Sequence, residues 1–199
     1  MKITSIKQQV KNPDRASIFV DGKYSFSLSL NELLAEKLKT NLELSGADLK
    51  NLKKLSADGK LKARALEWVL NRPRSVREFK DYLRRKKADV ELSELWAEEF
   101  QARGYLSNSA FAAWLIELRR RAGKSERAIR FELASKGVTR EVAEENLQDN
   151  ASELGRLRLL VNKKGQLPRY KADQQKFIQF LARKGFKYDD IKTVLSEKY

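Results

Sequence analysis

Arg72-Pro73-Arg74-Ser75-Val76-Arg77-Glu78-Phe79-Lys80-Asp81-Tyr82-Leu83-Arg84-Arg85-Lys86-Lys87 is the stretch whose reading decides the fold. Ser75 stands where a helix cap accepts from a free first-turn N–H, and Glu78 completes an S-x-x-E capping box. Phe79 and Leu83 lie one turn apart, so the predicted helix over 75–87 turns one face to a core. The chain then writes this pattern twice more. Ser125, Ile129, Leu133 and Lys136 repeat Ser75, Phe79, Leu83 and Lys86 at an offset of 50; Asp173, Phe177, Leu181 and Lys184 repeat them again at 48. The later copies stop on Gly137 and Gly185, as a left-handed C-terminal cap favours, whereas the first has Lys87. A period near fifty residues means an array of small units.

Working outward, apolar residues at helical spacing flank each copy. Leu61, Ala65 and Trp68 precede the first, ended by Arg72-Pro73 because the residue before proline disfavours the helical region. Leu92, Leu95, Trp96 and Phe100 follow it, up to Gly104. The second unit has Phe111, Trp114, Leu115 and Leu118, a capped helix over 125–136 and a last helix over 140–148. The third has Leu154, Leu157 and Val161, a loop through Gly165 and Pro168, then helices over 173–184 and 188–197. Nine helices in three units are expected.

Upstream the period changes to two. Ala16–Val20 and Tyr24–Leu28 flank Asp21-Gly22-Lys23, a strong hairpin signal, with Tyr24, Phe26 and Leu28 on the buried face and Ser25 and Ser27 on the wet one. Ile3–Val10 supplies a third strand, since a lone hairpin is marginal. Short helices are expected over 31–40 and 45–55, with Ala57-Asp58-Gly59 as the break. The expected organisation is an extension over 1–58 and repeats over 59–105, 106–150 and 151–199.

Composition narrows the function. The 199 residues contain no Cys and no His, which excludes disulfides, thiol nucleophiles and histidine bases and leaves no zinc site. No cofactor or metal is expected. The start Met1-Lys2-Ile3-Thr4 opens no signal peptide and no apolar run reaches membrane-spanning length, so a cytoplasmic protein is expected. A net charge of +15 implies a polyanionic partner. Residues 59–137 carry +8, against +3 for 1–58 and +4 for 138–199, so the first two repeats hold the excess. A membrane surface is a poorer partner, because no basic amphipathic helix ends in lipid anchors.

Gly123-Lys124-Ser125 resembles the end of a phosphate-binding loop, but Leu118 stands where another Gly is needed and a helix stripe precedes it. A helix C-cap followed by an N-cap is the better reading. Glu144-Glu145 and Asp189-Asp190 are sequence neighbours and point about 100° apart on a helix, so neither forms an acid–base dyad. Trp68, Trp96 and Trp114 read as core. The candidate binding surface is basic: Arg72, Arg74, Arg77, Arg84, Arg85 and Lys86 in the first cluster, Arg119, Arg120, Arg121, Lys124, Arg127 and Arg130 in the second. Asp81–Arg85 and Glu126–Arg130 absorb two of these charges as i,i+4 pairs. Changing Arg120, Lys124 and Arg127 to Ala is therefore expected to flatten a salt slope by about 2 and barely alter stability.

The chain resembles the RecX family of bacterial modulators of the RecA recombinase. Ala65-Leu66-Glu67 through Arg72-Pro73-Arg74-Ser75, the Leu-x-x-Lys repeat ends, Gly104-Tyr105-Leu106 with Phe111-Ala112, Lys136-Gly137, and Arg183-Lys184-Gly185-Phe186 with Tyr188 and Ile191 carry the resemblance over about residues 60–199. Where the family usually has acids after Gly-Tyr-Leu, this chain has Ser107-Asn108. The resemblance implies a mainly α fold of three tandem three-helix modules, helix-turn-helix-like, in an elongated, curved array behind the small β extension. It implies a non-enzymatic monomer that lodges in the groove of a RecA filament on single-stranded DNA. There it inhibits ATP hydrolysis, strand exchange and filament growth, modulating recombination, repair and the SOS response; duplex DNA is a second candidate partner. The alternative is a helix-turn-helix regulator of duplex DNA.

Overall fold

The computed structural model describes residues 1–147 and 153–197. Gln148 at the end of the helix expected over 140–148, and the expected module boundary at 150/151, lie outside the described residues.

Strands β1 (Ile3–Gln8), β2 (Arg15–Val20) and β3 (Lys23–Ser29) form an antiparallel sheet in that order. Asp21 and Gly22 take φ of 48° and 80°, the two left-handed conformations a type I′ turn requires. The expected face assignment fails at one residue. Ile18 pairs with Phe26 while Phe19 pairs with Tyr24, so Ser25 is an extra residue in the ladder. This bulge throws Tyr24 off the core face, where its ring meets Phe19 edge-on at 6.0 Å. Phe26 and Leu28 stay buried.

Ser29 and Glu32 cap helix α1 (Leu30–Ala35) reciprocally, at 3.2 and 2.7 Å. The helix ends well before residue 40 because Lys37 turns left-handed (φ 50°), which folds Leu38 and Leu42 back onto the sheet. Helix α2 (Gly46–Leu70) then runs for 25 residues without interruption. The break expected at Ala57-Asp58-Gly59 is absent. Gly59 has a packing reason instead: a Cβ there would meet the Glu32 carboxylate, which the α1 cap holds in place. Ser56 of α2 also covers the edge of β3, donating to the Ser27 carbonyl at 2.6 Å beside Arg15 Nη2 at 2.7 Å. Ser27, expected on the wet face, is therefore buried.

The chain clusters into two compact units, residues 1–68 with 83–90 and residues 69–82 with 91–199. The repeat helices follow α2: α3 (Val76–Arg85), α4 (Val90–Ala102), α5 (Asn108–Arg121), α6 (Glu126–Ser135), α7 (Arg140–Leu147), α8 (Glu153–Gly165), a short α9 (Pro168–Lys171), α10 (Gln174–Arg183) and α11 (Tyr188–Ser196). The repeat expectation holds at its key positions. Phe79, Ile129 and Phe177 are buried on α3, α6 and α10, as are Leu83, Leu133 and Leu181.

Three details depart from expectation. The loop through Pro168 contains α9, because proline at the first helical position pre-sets φ, and Tyr170 on it packs 4.8 Å from Phe177. Leu95 is exposed because α4 buries Ser93, Trp96, Ala97 and Phe100, a stripe that leaves it on the far side. Leu118 is likewise 40% exposed at the end of α5. Among the tryptophans, Trp96 is buried while Trp68 and Trp114 are half-buried.

All three middle helices end in the same left-handed turn, at Lys87 (φ 59°), Gly137 (77°) and Gly185 (101°). Ala88 N–H reaches the Leu83 carbonyl at 3.1 Å, as Val138 reaches Leu133 at 3.1 Å. Lys87 holds this conformation against the Cβ clash that glycine avoids. Lys87→Gly is expected to stabilise the protein by about 0.5–1 kcal/mol in chemical denaturation; a loss of stability would mean the turn is not strained.

Candidate nucleic-acid interface

The second compact unit contains two junctions between successive three-helix modules, built alike. In the first, Ser75 caps α3 by accepting from Glu78 N–H at 3.1 Å and donates its hydroxyl proton to the Lys136 carbonyl of the next module at 2.8 Å. In the second, Ser125 caps α6 by accepting from Ala128 N–H at 3.1 Å, and its own N–H donates to the Lys184 carbonyl at 2.9 Å. Both serines are fully buried. The first free N–H of each middle helix is taken by a side chain that opens the following module. Val76 donates to Asn108 Oδ1 at 3.0 Å and Glu126 to Glu153 Oε1 at 2.8 Å. Burying these helix starts is feasible because one orphan donor finds a partner across the junction and another is capped by the helix's own serine.

The glycines complete the fit. A Cβ at Gly137 would stand 2.8 Å from Arg77 Cβ, and one at Gly185 would press on Ser125 Oγ and Ala128 Cβ. Arg77 and Arg127, equivalent at the repeat offset of 50, both sit at these contacts with exposed side chains, and Arg127 Nε donates to the Gly185 carbonyl at 3.2 Å. The third copy opens on Asp173, whose carboxylate caps α10 at 2.9 Å but has no hydroxyl to donate. That residue is exposed. Ser107-Asn108 have local work too: Ser107 caps α5 at 3.1 Å and Asn108 serves the junction.

Many of the candidate cations are held internally. Arg72 forks onto Glu78 at 3.1 and 3.3 Å and lies 4.5 Å over the Trp114 ring. Lys136 reaches the same carboxylate at 3.2 Å. Glu78 thus holds two cations with its carboxylate while its N–H donates to the Ser75 hydroxyl. Burial raises the Glu78 pKa, but the hydrogen bonds from Arg72 and Lys136 outweigh it and hold the carboxyl below its ordinary value. Arg119 forks onto Glu132 at 2.7 and 2.6 Å, Arg121 pairs with Glu117 at 2.6 Å, and Arg130 bridges Glu144 at 2.9 Å and Glu126 at 3.2 Å. The expected Glu126–Arg130 pair is thus present and Arg121–Glu117 is a second i,i+4 pair, while Arg119 and Arg130 also pair between helices.

Arg120 corrects the expectation that the triple alanine change leaves stability untouched. Its side chain is 13% exposed, donates to the Leu147 carbonyl at 3.1 Å and lies 3.7 Å from Glu126. Arg74 and Lys124 are half-buried, and Arg84, Arg85 and Lys86 are exposed residues of the first unit.

The structure also gathers cations that the clusters missed. A groove of about 550 Å³ opens where the end of α5 meets α8 and the end of α10, lined by Arg120 and Arg121 together with Arg156, Lys163, Lys164 and Lys184. Of the last four, Arg156, Lys163 and Lys164 lie along α8, and Lys184 joins them from the end of α10. Among the described residues no group of acidic side chains is arranged to hold a metal ion, and no helix is long and apolar enough to cross a membrane.

Comparison with known proteins agrees with these modules. Residues 1–45 match the regulatory protein RecX N-terminal domain, 107–147 the second three-helix domain of RecX, and 145–195 the third. The regulatory protein RecX of Listeria innocua is 30% identical over 192 residues, which span 94% of this chain and 71% of that one. The chain belongs to the RecX family. The RecX of Listeria monocytogenes HCC23 is 28% identical across 99% of this chain and 76% of its own length. Two solved RecX structures share the fold. One regulatory protein RecX superposes with a TM-score of 0.71 over 98% of both chains at 22% identity. RecX from Lactobacillus salivarius superposes at 0.57 over 70% of this chain and 95% of its own, at 23% identity.

Proposed function

We propose that this RecX-family chain is a non-enzymatic cytoplasmic regulator that lodges in the groove of a RecA filament on single-stranded DNA. There it slows ATP hydrolysis, strand exchange and filament growth, and so modulates recombination, repair and the SOS response. The duplicated junction is the observation that carries this reading. Two similar junctions, one closed by the Ser75 hydroxyl and the other by the Ser125 N–H, join successive modules, and Arg77 and Arg127 recur at equivalent exposed places. Repeated modules can engage repeated protomers, and several weak contacts then add through effective concentration. With neither His nor Cys, the chain has no histidine base and no thiolate nucleophile.

Family membership supports this reading over the duplex-binding alternative, and so does the charge of the third helix of each module. A helix-turn-helix reader would present that helix to phosphates. Instead the first turn carries Glu91 in α4, Glu141 after Arg140 in α7, and Asp189 and Asp190 in α11.

The chain should lower the rate at which RecA hydrolyses ATP on single-stranded DNA. The double change Arg77→Ala and Arg127→Ala should weaken that inhibition about tenfold, equivalent to about 1.4 kcal/mol of filament affinity. Unchanged hydrolysis at saturating wild-type chain would reject the reading.

A further inference from the structure

The groove between the end of α5 and the last turns of α8 is built from six cations, and no carboxylate is among its lining residues. Behind it, Glu126 takes Arg156 at 2.5 Å and approaches Arg120 at 3.7 Å, and Glu117 takes Arg121. Lys163 and Lys164 have no such partner in the groove wall, and Lys184 donates to the Ala122 carbonyl at 2.8 Å. The positive field is felt there. Burial, and then the neighbouring Lys124 and Lys164, push the Lys184 ammonium below its ordinary pKa.

The cations alternate with apolar groups. Along α8, Arg156, Leu160 and Lys164 form one i,i+4 row, and Leu159 and Lys163 the next. Leu159 is 71% exposed and lines the groove beside Lys163. Leu160 closes the floor against Gly123, where a Cβ would stand 3.2 Å from its methyl groups. Phe180 adds an aromatic ring, with the Lys184 ammonium 5.5 Å from its centroid.

We infer that this groove binds single-stranded nucleic acid, with Lys163, Lys164 and Lys184 on its phosphates and Leu159, Leu160 and Phe180 against its sugars and bases. A concave channel of cations interleaved with apolar and aromatic side chains is how strands are held without sequence preference. A duplex keeps its base faces stacked inside and offers nothing to the leucines. An acidic peptide would satisfy the lysines but gives the apolar row no partner of its own. The inference deepens the regulatory reading, since the strand is the one RecA coats. It is tested without RecA, so the two fail separately.

The test uses the full chain carrying Lys163→Gln and Lys164→Gln, at exposed and half-exposed positions in the last turn of α8. Anisotropy of a fluorescent oligothymidylate is titrated across a salt series, with circular dichroism to confirm the fold. Each lost phosphate contact removes about 0.7 from the slope of log affinity against log salt, so the slope should fall by about 1.4. Leu159→Ala should weaken binding while leaving that slope unchanged, because it removes contact without charge. A double variant with the parental slope overturns the inference. So does a variant that loses affinity for polyglutamate while still holding the strand, which would make the groove a site for an acidic protein.

Discussion

Leu133→Ala should lower the stability of the protein by about 2–5 kcal/mol, the sum of lost transfer free energy and the cavity left behind. The residue is fully buried in the middle module, in a cluster with Phe111, Leu115, Ile129 and Ala143. Val138, directly after the left-handed Gly137, packs in the same cluster and donates its N–H to the Leu133 carbonyl. Little is free to collapse into the space, because α5, α6 and α7 are tied by the Arg119–Glu132 and Arg130–Glu144 bridges around it. The cost therefore belongs in the upper part of that range. Urea denaturation of the variant and the parent measures it, and a loss below about 1 kcal/mol would mean that the module repacks easily.

Gly185→Ala is the second large effect, because it strikes the backbone and a junction together. At φ 101° an alanine is strained, and its Cβ presses on Ser125 Oγ and Ala128 Cβ. Those atoms are the capped first turn of α6, so relief means moving a helix rather than turning a side chain. A natural control separates the two contributions. Gly104 also takes a left-handed φ, 73°, but a Cβ there meets nothing within 4 Å. Gly104→Ala should cost about 1 kcal/mol from conformation alone. Gly185→Ala should cost about 2–4 kcal/mol and loosen the second junction, read as faster amide exchange at Ser125 N–H and Glu126 N–H. Equal losses at the two glycines would show that the junction tolerates displacement.

The sequence by itself determined what interactions over a few residues determine. Ser75, Ser125 and Asp173 cap their helices through bonds three residues long, and Asp21-Gly22 closes its hairpin locally, so each was legible from residue type and spacing. The repeat was legible because three copies of one core must bury the same positions, from Phe79 and Leu83 to Phe177 and Leu181. Lys-Gly at 136–137 and 184–185 was readable as a helix stop. That it is also the seat of the preceding module's capping serine was not, because the partner lies about sixty residues away.

Tertiary structure decided the rest, wherever a residue's partner is distant in the chain. Gly59 reads as punctuation until Glu32 is placed against it, and α2 then continues through a residue that local propensity would have broken. The bulge at Ser25 depends on a partner strand, so no alternation within β3 reveals that Tyr24 turns outward. Charge was least legible of all. Arg119 and Arg120 look unopposed in sequence and Arg130 faces only Glu126, yet Glu132, Glu144 and the Leu147 carbonyl of α6 and α7 hold them. Lys184 lies twenty residues beyond Lys163-Lys164, yet packing of α8 beside the end of α10 brings all three to one groove. Coulomb energy depends on distance in space, and only the fold sets that distance.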